Sequence, residues 1–241
     1  MNLQGPLGLI LFDCDGVLID SEGISAEVLL SALARLGREV SFDYFCQNFV
    51  GRSFPTVARD IRENWGLKLP DSFEADYRRD LAAEFSHRLQ ATAGVVDLLE
   101  GLTVPYCVAT SSSPQRADNA LRIAGLDRFV SDRIFTASEV AHGKPAPDLF
   151  LHAAARMGVS PDRCLVIEDS LPGIAAADAA KMQVLRYTGG AHLKGRVLKH
   201  DADVQTFDNW DNFSVRLSKH LAIQAMQYND RPISGRQRET G

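Results

Sequence analysis

Two aspartates, Asp13 and Asp15, stand two positions apart behind a short apolar run, and Gly16 follows them. Side chains two positions apart lie on the same side of an extended chain, so both carboxylates can point into one pocket. A carboxylate can attack phosphorus to form an aspartyl-phosphate. A second carboxyl group can protonate the leaving oxygen and later take a proton from water. This chemistry needs one ionised and one partly protonated group, and crowding acids together separates their pKa values in that way.

Further charged residues could complete such a site. A cluster of acids needs a divalent cation to hold a phosphoryl group. Glu168 and Asp169 follow another apolar run and offer the hard oxygen ligands that Mg²⁺ prefers. Lys144 lies in a proline-rich segment and could balance the charge of the nucleophile and the phosphate. The residues therefore predict a magnesium site next to an acidic nucleophile.

Hydroxyl groups follow a third apolar run, residues 106–109. Ser111, Ser112 and Ser113 precede Pro114 and a helical stretch. Their hydroxyls and backbone amides suit the remaining phosphoryl oxygens. Ser113 before a proline also fits a helix N-cap, so a purely structural role is the alternative for this residue.

The elements that must position these residues alternate along much of the chain. Apolar, strand-like runs are followed by stretches with helical spacing, which predicts an α/β fold with a parallel sheet and helices on both faces. In such sheets, ligands bind at the carboxyl ends of the strands. The three polar clusters each follow a strand run, so we expect them to meet at one edge. The predicted strands are residues 7–12, 106–109, 134–135, 164–167 and 183–186.

Between the first strand and residue 91 the pattern changes. Segments 25–36, 54–65 and 73–89 have helical spacing, and glycines and a proline separate them. We expect an all-helical cap domain over residues 20–91, inserted above the catalytic edge of the sheet. The remaining expectations are a core domain of residues 1–19 and 92–228 and a flexible tail of residues 229–241.

The composition limits the classes of partner. The chain has 241 residues, a net charge of −5 and a pI of about 5.7, which argues against binding nucleic acid or anionic membranes through bulk charge. No apolar run approaches the roughly 18 residues of a membrane span. No secretory signal pattern is present, so we expect a cytoplasmic protein. The cysteines form no C-x-x-C pair, which argues against a zinc site.

The sequence resembles the haloacid dehalogenase superfamily, in the subgroup with a helical cap. The resemblance spans roughly residues 8–190 and depends on four motifs in the family's order. The matching segments are Asp13–Ser21, Ser111 with Thr110 as the neighbouring alternative register, Lys144 in GKPAPD, and Glu168–Ser170 with Gly173 following.

This resemblance implies a Rossmann-like core and a role for each matching residue. Asp13 corresponds to the nucleophile and Asp15 to the general acid and base. The implied ligands of Mg²⁺ are Asp13, the backbone carbonyl of Asp15, and Asp169, with Glu168 either nearby or also a ligand. The implied phosphate-binding residues are Ser111, Ser112 and Lys144.

Within this superfamily, the sequence most resembles those of small sugar-phosphate phosphatases and β-phosphoglucomutases. The founding dehalogenases lack an acid at the position of Asp15, so dehalogenation is disfavoured. Ser25 stands where the mutases carry a hinge histidine, which favours a phosphatase. Arg52, in the cap loop, is a candidate substrate contact or a solvated residue. We expect a monomer that acts on a small phosphorylated metabolite, with a phosphomutase or a non-catalytic sugar-phosphate regulator as alternatives.

Overall fold

The computed structural model describes residues 3–130, 132–196 and 204–229. Within these residues, six parallel strands form one sheet in the order β3-β2-β1-β4-β5-β6. The strands are β1 (Leu9–Phe12), β2 (Tyr106–Thr110), β3 (Ile134–Thr136), β4 (Cys164–Glu168), β5 (Gln183–Tyr187) and β6 (Thr206–Phe207). This sheet confirms the predicted α/β fold class, and its first five strands coincide with the predicted apolar runs.

Ten α-helices are present in the described residues. Four lie between β1 and β2 and form a block of their own: α1 (Glu22–Arg35), α2 (Phe42–Asn48), α3 (Phe54–Trp65) and α4 (Phe73–Arg88). The others are α5 (Val95–Gly101), α6 (Pro114–Ile123), α7 (Asp127–Val130), α8 (Asp148–Arg156), α9 (Leu171–Ala179) and α10 (Trp210–Asn229).

The sheet is buried on both faces, which is why its strands read as unbroken apolar runs. Alternate residues of β1 point to opposite faces. Phe12 packs against Trp210 of α10, with ring centroids 6.0 Å apart. Leu11 belongs to a second core that includes Phe150 of α8. Helices on both faces therefore pack against the central strand β1, and this packing fixes the position at which the strand ends, after Phe12.

In the helical block α1 contacts α4, and the block's buried apolar residues form one continuous core with residues of the sheet such as Phe12. The short helix α2 escapes sequence patterning because its seven residues are too few to establish a period. Its start is nevertheless encoded locally, since the side chain of Ser41 accepts a hydrogen bond from the backbone N–H of Tyr44. Leu81 and Phe85 of α4 are buried in the same core.

The strand order decides where the site forms. β1 lies between β2 and β4, so the segments that follow these three strands leave the sheet side by side. The predicted tail of residues 229–241 lies outside the described residues, except for Asn229, which ends α10. Among the described helices, none combines the length and apolar character that a membrane span requires.

Candidate active site

Asp13 directly follows β1, and its backbone N–H donates to the carbonyl of Ile167 at 2.9 Å. This bond to the neighbouring strand fixes the beginning of the loop. Oδ1 of Asp13 lies 2.6 Å from Nζ of Lys144. The same ammonium group donates to Oε1 of Glu168 at 2.7 Å and to the carbonyl of Ala109 at 3.0 Å. One lysine therefore ties together the ends of three adjacent strands.

Lys144 is the cation of a buried, acid-rich cluster, and its side chain is 0% exposed. Burial lowers the pKa of Lys144, but the carboxylates of Asp13 and Glu168 outweigh burial, so its pKa lies above its ordinary value. Burial raises the pKa of Asp13, and although Lys144 lowers it, Glu168 and Asp169 raise it further. Lys144 is therefore charged, and it does not neutralise the cluster alone.

A divalent cation could offset the remaining negative charge of this cluster. Asp13, Glu168 and Asp169 each place an oxygen within 4.8 Å of the other two. Both carboxylate oxygens of Asp169 are buried, and no described residue forms a hydrogen bond with either of them. Burial, followed by the charge of Glu168, raises the pKa of Asp169. An oxygen-only donor set with unpaired carboxylate oxygens fits Mg²⁺.

Glu168 has a different environment, because its oxygens already accept hydrogen bonds. Oε2 accepts from the backbone N–H groups of Asp169 at 2.9 Å and Ser170 at 2.8 Å, and from the Ser170 hydroxyl at 2.8 Å. Oε1 accepts from Lys144. A Cβ atom on Gly173 would lie 1.7 Å from Oε1, so glycine makes room for this carboxylate. These contacts favour an anchoring role for Glu168 over metal ligation.

Asp15 lies at the same cavity as Asp13 but has other partners. Its Oδ1 accepts from the Ser21 hydroxyl at 2.6 Å. Its Oδ2 accepts from the Ser112 hydroxyl at 2.7 Å and from Nη1 of Arg116 at 2.6 Å. Arg116 is not among the site residues that the sequence predicts. Ser112 precedes α6, and Arg116 lies in the first turn of that helix, where its Nη1 contacts the Ser112 hydroxyl.

The pKa values of the two aspartates shift in opposite directions, upward for Asp13 and downward for Asp15. Burial raises the pKa of Asp15, but the charge and hydrogen bond of Arg116 and the hydroxyls of Ser21 and Ser112 outweigh it, so the pKa lies below its usual range. The directions are the reverse of those the chemistry needs. A cation beside Asp13 lowers the pKa of that group. Asp15 can gain a proton when its contact with Arg116 weakens.

The predicted phosphate-binding hydroxyls are all engaged by protein groups. Ser111 donates to the backbone carbonyl of Gly51 in the helical block at 2.9 Å. Ser112 donates to Asp15, and its backbone N–H donates to Oγ1 of Thr110 at 3.1 Å. Thr110 and both serines line the same cavity. The structure therefore brings the two alternative registers, Ser111 and Thr110, to one site.

Ser113 occupies the N-cap position of α6, with Pro114 in the first turn, as the sequence predicts. Its side chain makes no capping hydrogen bond. Instead, its hydroxyl accepts from Nη1 of Arg78 in α4 at 3.1 Å. This contact connects the helical block to the core beside the cavity.

A cavity of about 280 Å³ lies between the strand ends and the helical block. Arg52 lines it and forms an ion pair with Asp60 at 2.8 Å. Glu22 and Ser25 also line it and are buried. Burial, the largest cause, raises the pKa of Glu22 to about 8. Glu22 is not among the site residues that the sequence predicts, because a single acid at the start of a helix has no distinctive spacing.

The known proteins that this chain resembles include haloacid dehalogenase-like proteins, a phosphatase and a phosphomutase. The family model for haloacid dehalogenase-like hydrolases matches residues 7–181. The chain is 27% identical to 6-phosphogluconate phosphatase of Escherichia coli, over 77% of this chain and 84% of that protein. It is 41% identical to β-phosphoglucomutase of Mycobacterium bovis, over 86% and 92% respectively. A crystal structure of a haloacid dehalogenase-like protein of unknown function from Agrobacterium tumefaciens matches with a TM-score of 0.75 and 32% identity, covering 89% of this chain and 99% of that one.

Proposed function

The chain belongs to the haloacid dehalogenase-like hydrolase family, and we propose that it is a Mg²⁺-dependent phosphatase that cleaves a small sugar phosphate through an aspartyl-phosphate. The family and its phosphatase relatives support a phosphoric monoester hydrolase. The observation that carries the proposal is the convergence of Asp13, Asp15 and Lys144 on one buried site. These residues supply a nucleophile, a proton carrier and a charge partner.

In the first step, Asp13 attacks phosphorus with Oδ2, because Oδ1 is held by Lys144 at 2.6 Å. An O–P bond forms to the aspartate while the bond from phosphorus to the substrate alcohol breaks. Asp15 donates its proton to the departing oxygen. To carry that proton, Asp15 must loosen its contact with Arg116, which keeps the carboxyl group ionised.

In the second step, a water molecule gives a proton to Asp15 and attacks the phosphorus of the aspartyl-phosphate. The O–P bond to Asp13 breaks, which releases inorganic phosphate and restores the carboxylate. The contact between Asp15 and Arg116 suits this step, because it favours the ionised base. The same carboxyl group thus alternates between acid and base.

The phosphoryl group needs positive charge and hydrogen-bond donors around it. We infer that Asp13, the Asp15 carbonyl and Asp169 would hold Mg²⁺, while Glu168, the third carboxylate of the cluster, anchors the site through its hydrogen bonds. When bound, the cation supplies charge neutralisation for the phosphoryl oxygens. Lys144 adds its ammonium group. The hydroxyls and backbone amides of the strand end would complete the binding site at Ser111 and Ser112, with Thr110 as the alternative register.

The helical block has the position of a substrate cap, which we propose extends over residues 20–91 and covers a core of residues 1–19 and 92–228. The contacts of Ser111 with Gly51 and of Ser113 with Arg78 connect the two parts beside the cavity. Closure over the substrate would exclude water during the first step. Arg52 is a candidate contact for the sugar. We further propose a cytoplasmic monomer that acts on small phosphorylated metabolites.

A phosphomutase is the second candidate, and the 41% identity to a β-phosphoglucomutase favours it. Ser25 argues in the other direction. It is buried at the cavity, and its Oγ lies 3.4 Å from Nη2 of Arg116. A serine hydroxyl does not take up protons near neutral pH as a histidine does. The phosphorylated Asp13 is therefore expected to react with water.

The test is a panel of sugar phosphates, nucleotides and phosphoglycolate incubated with Mg²⁺ and followed by phosphorus NMR. Appearance of inorganic phosphate supports the phosphatase. Transfer of phosphate to another carbon of the same sugar supports the mutase. Binding of a sugar phosphate that raises the melting temperature without any turnover would instead indicate a regulatory protein.

A further inference from the structure

His192 lies in the loop that follows β5, and it is 1% exposed. The loop is held against the segment after β1, since the backbone N–H of Ala191 donates to Oδ1 of Asp20 at 3.0 Å. The Sγ atom of Cys46 in α2 lies 3.9 Å from the carbonyl oxygen of His192. His192 is thus fixed between the core and the helical block, directly behind the proposed metal site.

The imidazole of His192 faces Asp169. Nε2 lies 3.0 Å from Oδ2 of Asp169, although the two atoms are not aligned for a hydrogen bond. Both ring nitrogens are buried, and no described residue forms a hydrogen bond with either of them. The same is true of both oxygens of Asp169. Unsatisfied buried polar atoms are costly, so this carboxylate and this imidazole call for a partner, and a bound cation would be one.

Two glycines leave the space that this pair occupies. A Cβ atom on Gly16 would lie 2.0 Å from Oδ2 of Asp169 and 2.8 Å from Cε1 of His192. A Cβ atom on Gly190 would lie 2.9 Å from the same Cε1 atom. Any larger residue at either position would displace the imidazole or the carboxylate.

The geometry separates His192 from direct metal ligation. In the described part of the chain, the donor atoms of Asp13, Glu168 and Asp169 lie within 4.8 Å of one another. His192 does not belong to this group. We propose that His192 is a positioning residue: when a divalent cation binds Oδ1 of Asp169, a small reorientation of the imidazole lets its Nε2–H donate to Oδ2, which lies 3.0 Å away. The inference depends on the metal site of the proposed function. Buried partners behind a metal ligand orient it, and their loss typically weakens metal affinity by about 10- to 100-fold.

The experiment measures binding of Mn²⁺ alone, without substrate, by electron paramagnetic resonance of the free ion. The variants are His192→Gln and His192→Met, whose side chains have similar lengths but differ in the N–H donor. His192→Ala is added because its small side chain fits the space. The exposed His87→Gln on α4 serves as the control. Circular dichroism melts in EDTA establish that each protein is folded.

We expect Mn²⁺ affinity to fall by about 10- to 100-fold in the Met and Ala variants and to recover largely in the Gln variant. Equal affinities in all the folded variants would overturn the inference, as would equal losses in Gln and Met. Nitrogen hyperfine coupling to bound Mn²⁺ that disappears in the variants would also overturn it, because the imidazole would then be a ligand. Failure of the unmodified protein to bind Mn²⁺ would count against the metal site itself and hence against the proposed function.

Discussion

Nη1 of Arg116 lies 2.6 Å from Oδ2 of Asp15, although 101 positions separate the two residues in the chain. Replacing Arg116 with Met leaves a buried carboxylate without its cation. We expect Arg116→Met to lower the free energy of unfolding by about 3 kcal/mol near neutral pH. Urea denaturation measures this loss, and Arg122→Met, an exposed site on the same helix, should change stability little.

The loss in Arg116→Met should depend on pH. In the unmodified protein the pKa of Asp15 is lowered, so the carboxylate contributes stability above its ordinary pKa, which is lost as the pH falls through the lowered value. Without Arg116, burial raises the pKa of Asp15, and the folded state is penalised progressively as the pH rises above about 4. The deficit should be larger at about pH 7 than at about pH 5, and equal deficits would contradict this account.

Asp13→Asn should abolish turnover. An amide does not attack phosphorus, so we expect phosphate release to fall by at least about 10⁴-fold. The variant should remain folded, because Lys144 keeps its contact with Glu168. Phosphate release under saturating Mg²⁺ is the measurement, with the exposed Asp97→Asn on α5 as the control. Full activity in Asp13→Asn would defeat the aspartyl-phosphate mechanism.

Lys144→Met should lower both the stability of the folded protein and the rate of phosphate release. It leaves the buried carboxylates of Asp13 and Glu168 without a cation, at a cost of about 3–5 kcal/mol. The raised pKa of Lys144 means that its stabilisation is fully present below the ordinary lysine pKa and is lost only as the pH rises through the raised value. Chemical denaturation near neutral pH should show the loss, and exposed Lys68→Met should not. A stable Lys144→Met protein would argue against the charge role.

Removal of divalent cations should lower both activity and melting temperature. A cation at one hundred times its dissociation constant adds about 2.7 kcal/mol, or roughly 5–10 °C for a chain of this size. Differential scanning calorimetry in EDTA and in Mg²⁺ gives the shift. Asp169→Asn should remove most of it, while the exposed Asp162→Asn should retain it. An unchanged shift in Asp169→Asn would place the cation elsewhere.

The buried carboxyl group of Glu22 should cause the free energy of unfolding to decrease as the pH rises from weakly acidic to weakly alkaline values. Its pKa is raised to about 8, so the folded state holds a proton that the unfolded state releases from its ordinary pKa upward. Each unit of pKa shift corresponds to about 1.4 kcal/mol. Glu22→Gln should therefore gain stability relative to the unmodified protein as the pH rises from about 5 to about 8. Denaturation in EDTA tests this, with exposed Glu63→Gln as the control, and a constant difference would contradict it.

Much of the fold was readable from local patterns. The apolar run before Asp13 predicts a buried strand because the sheet is covered on both faces, and the structure confirms it as β1. The run before Ser111 becomes β2, and the run through Ile167 becomes β4. Patterns failed where elements are short, as for α2, since seven residues do not define a helical period.

The sequence by itself determined the acids, the lysine and the strand ends that place them at one edge, because residue type and period are local properties. Tertiary structure alone decided their partners. Arg116 reaches Asp15, and His192 reaches Asp169, across 101 positions in the first case and through a separate loop in the second. The charge state of a buried group depends on its distance from other charged groups and on its removal from water, and a sequence motif specifies neither quantity.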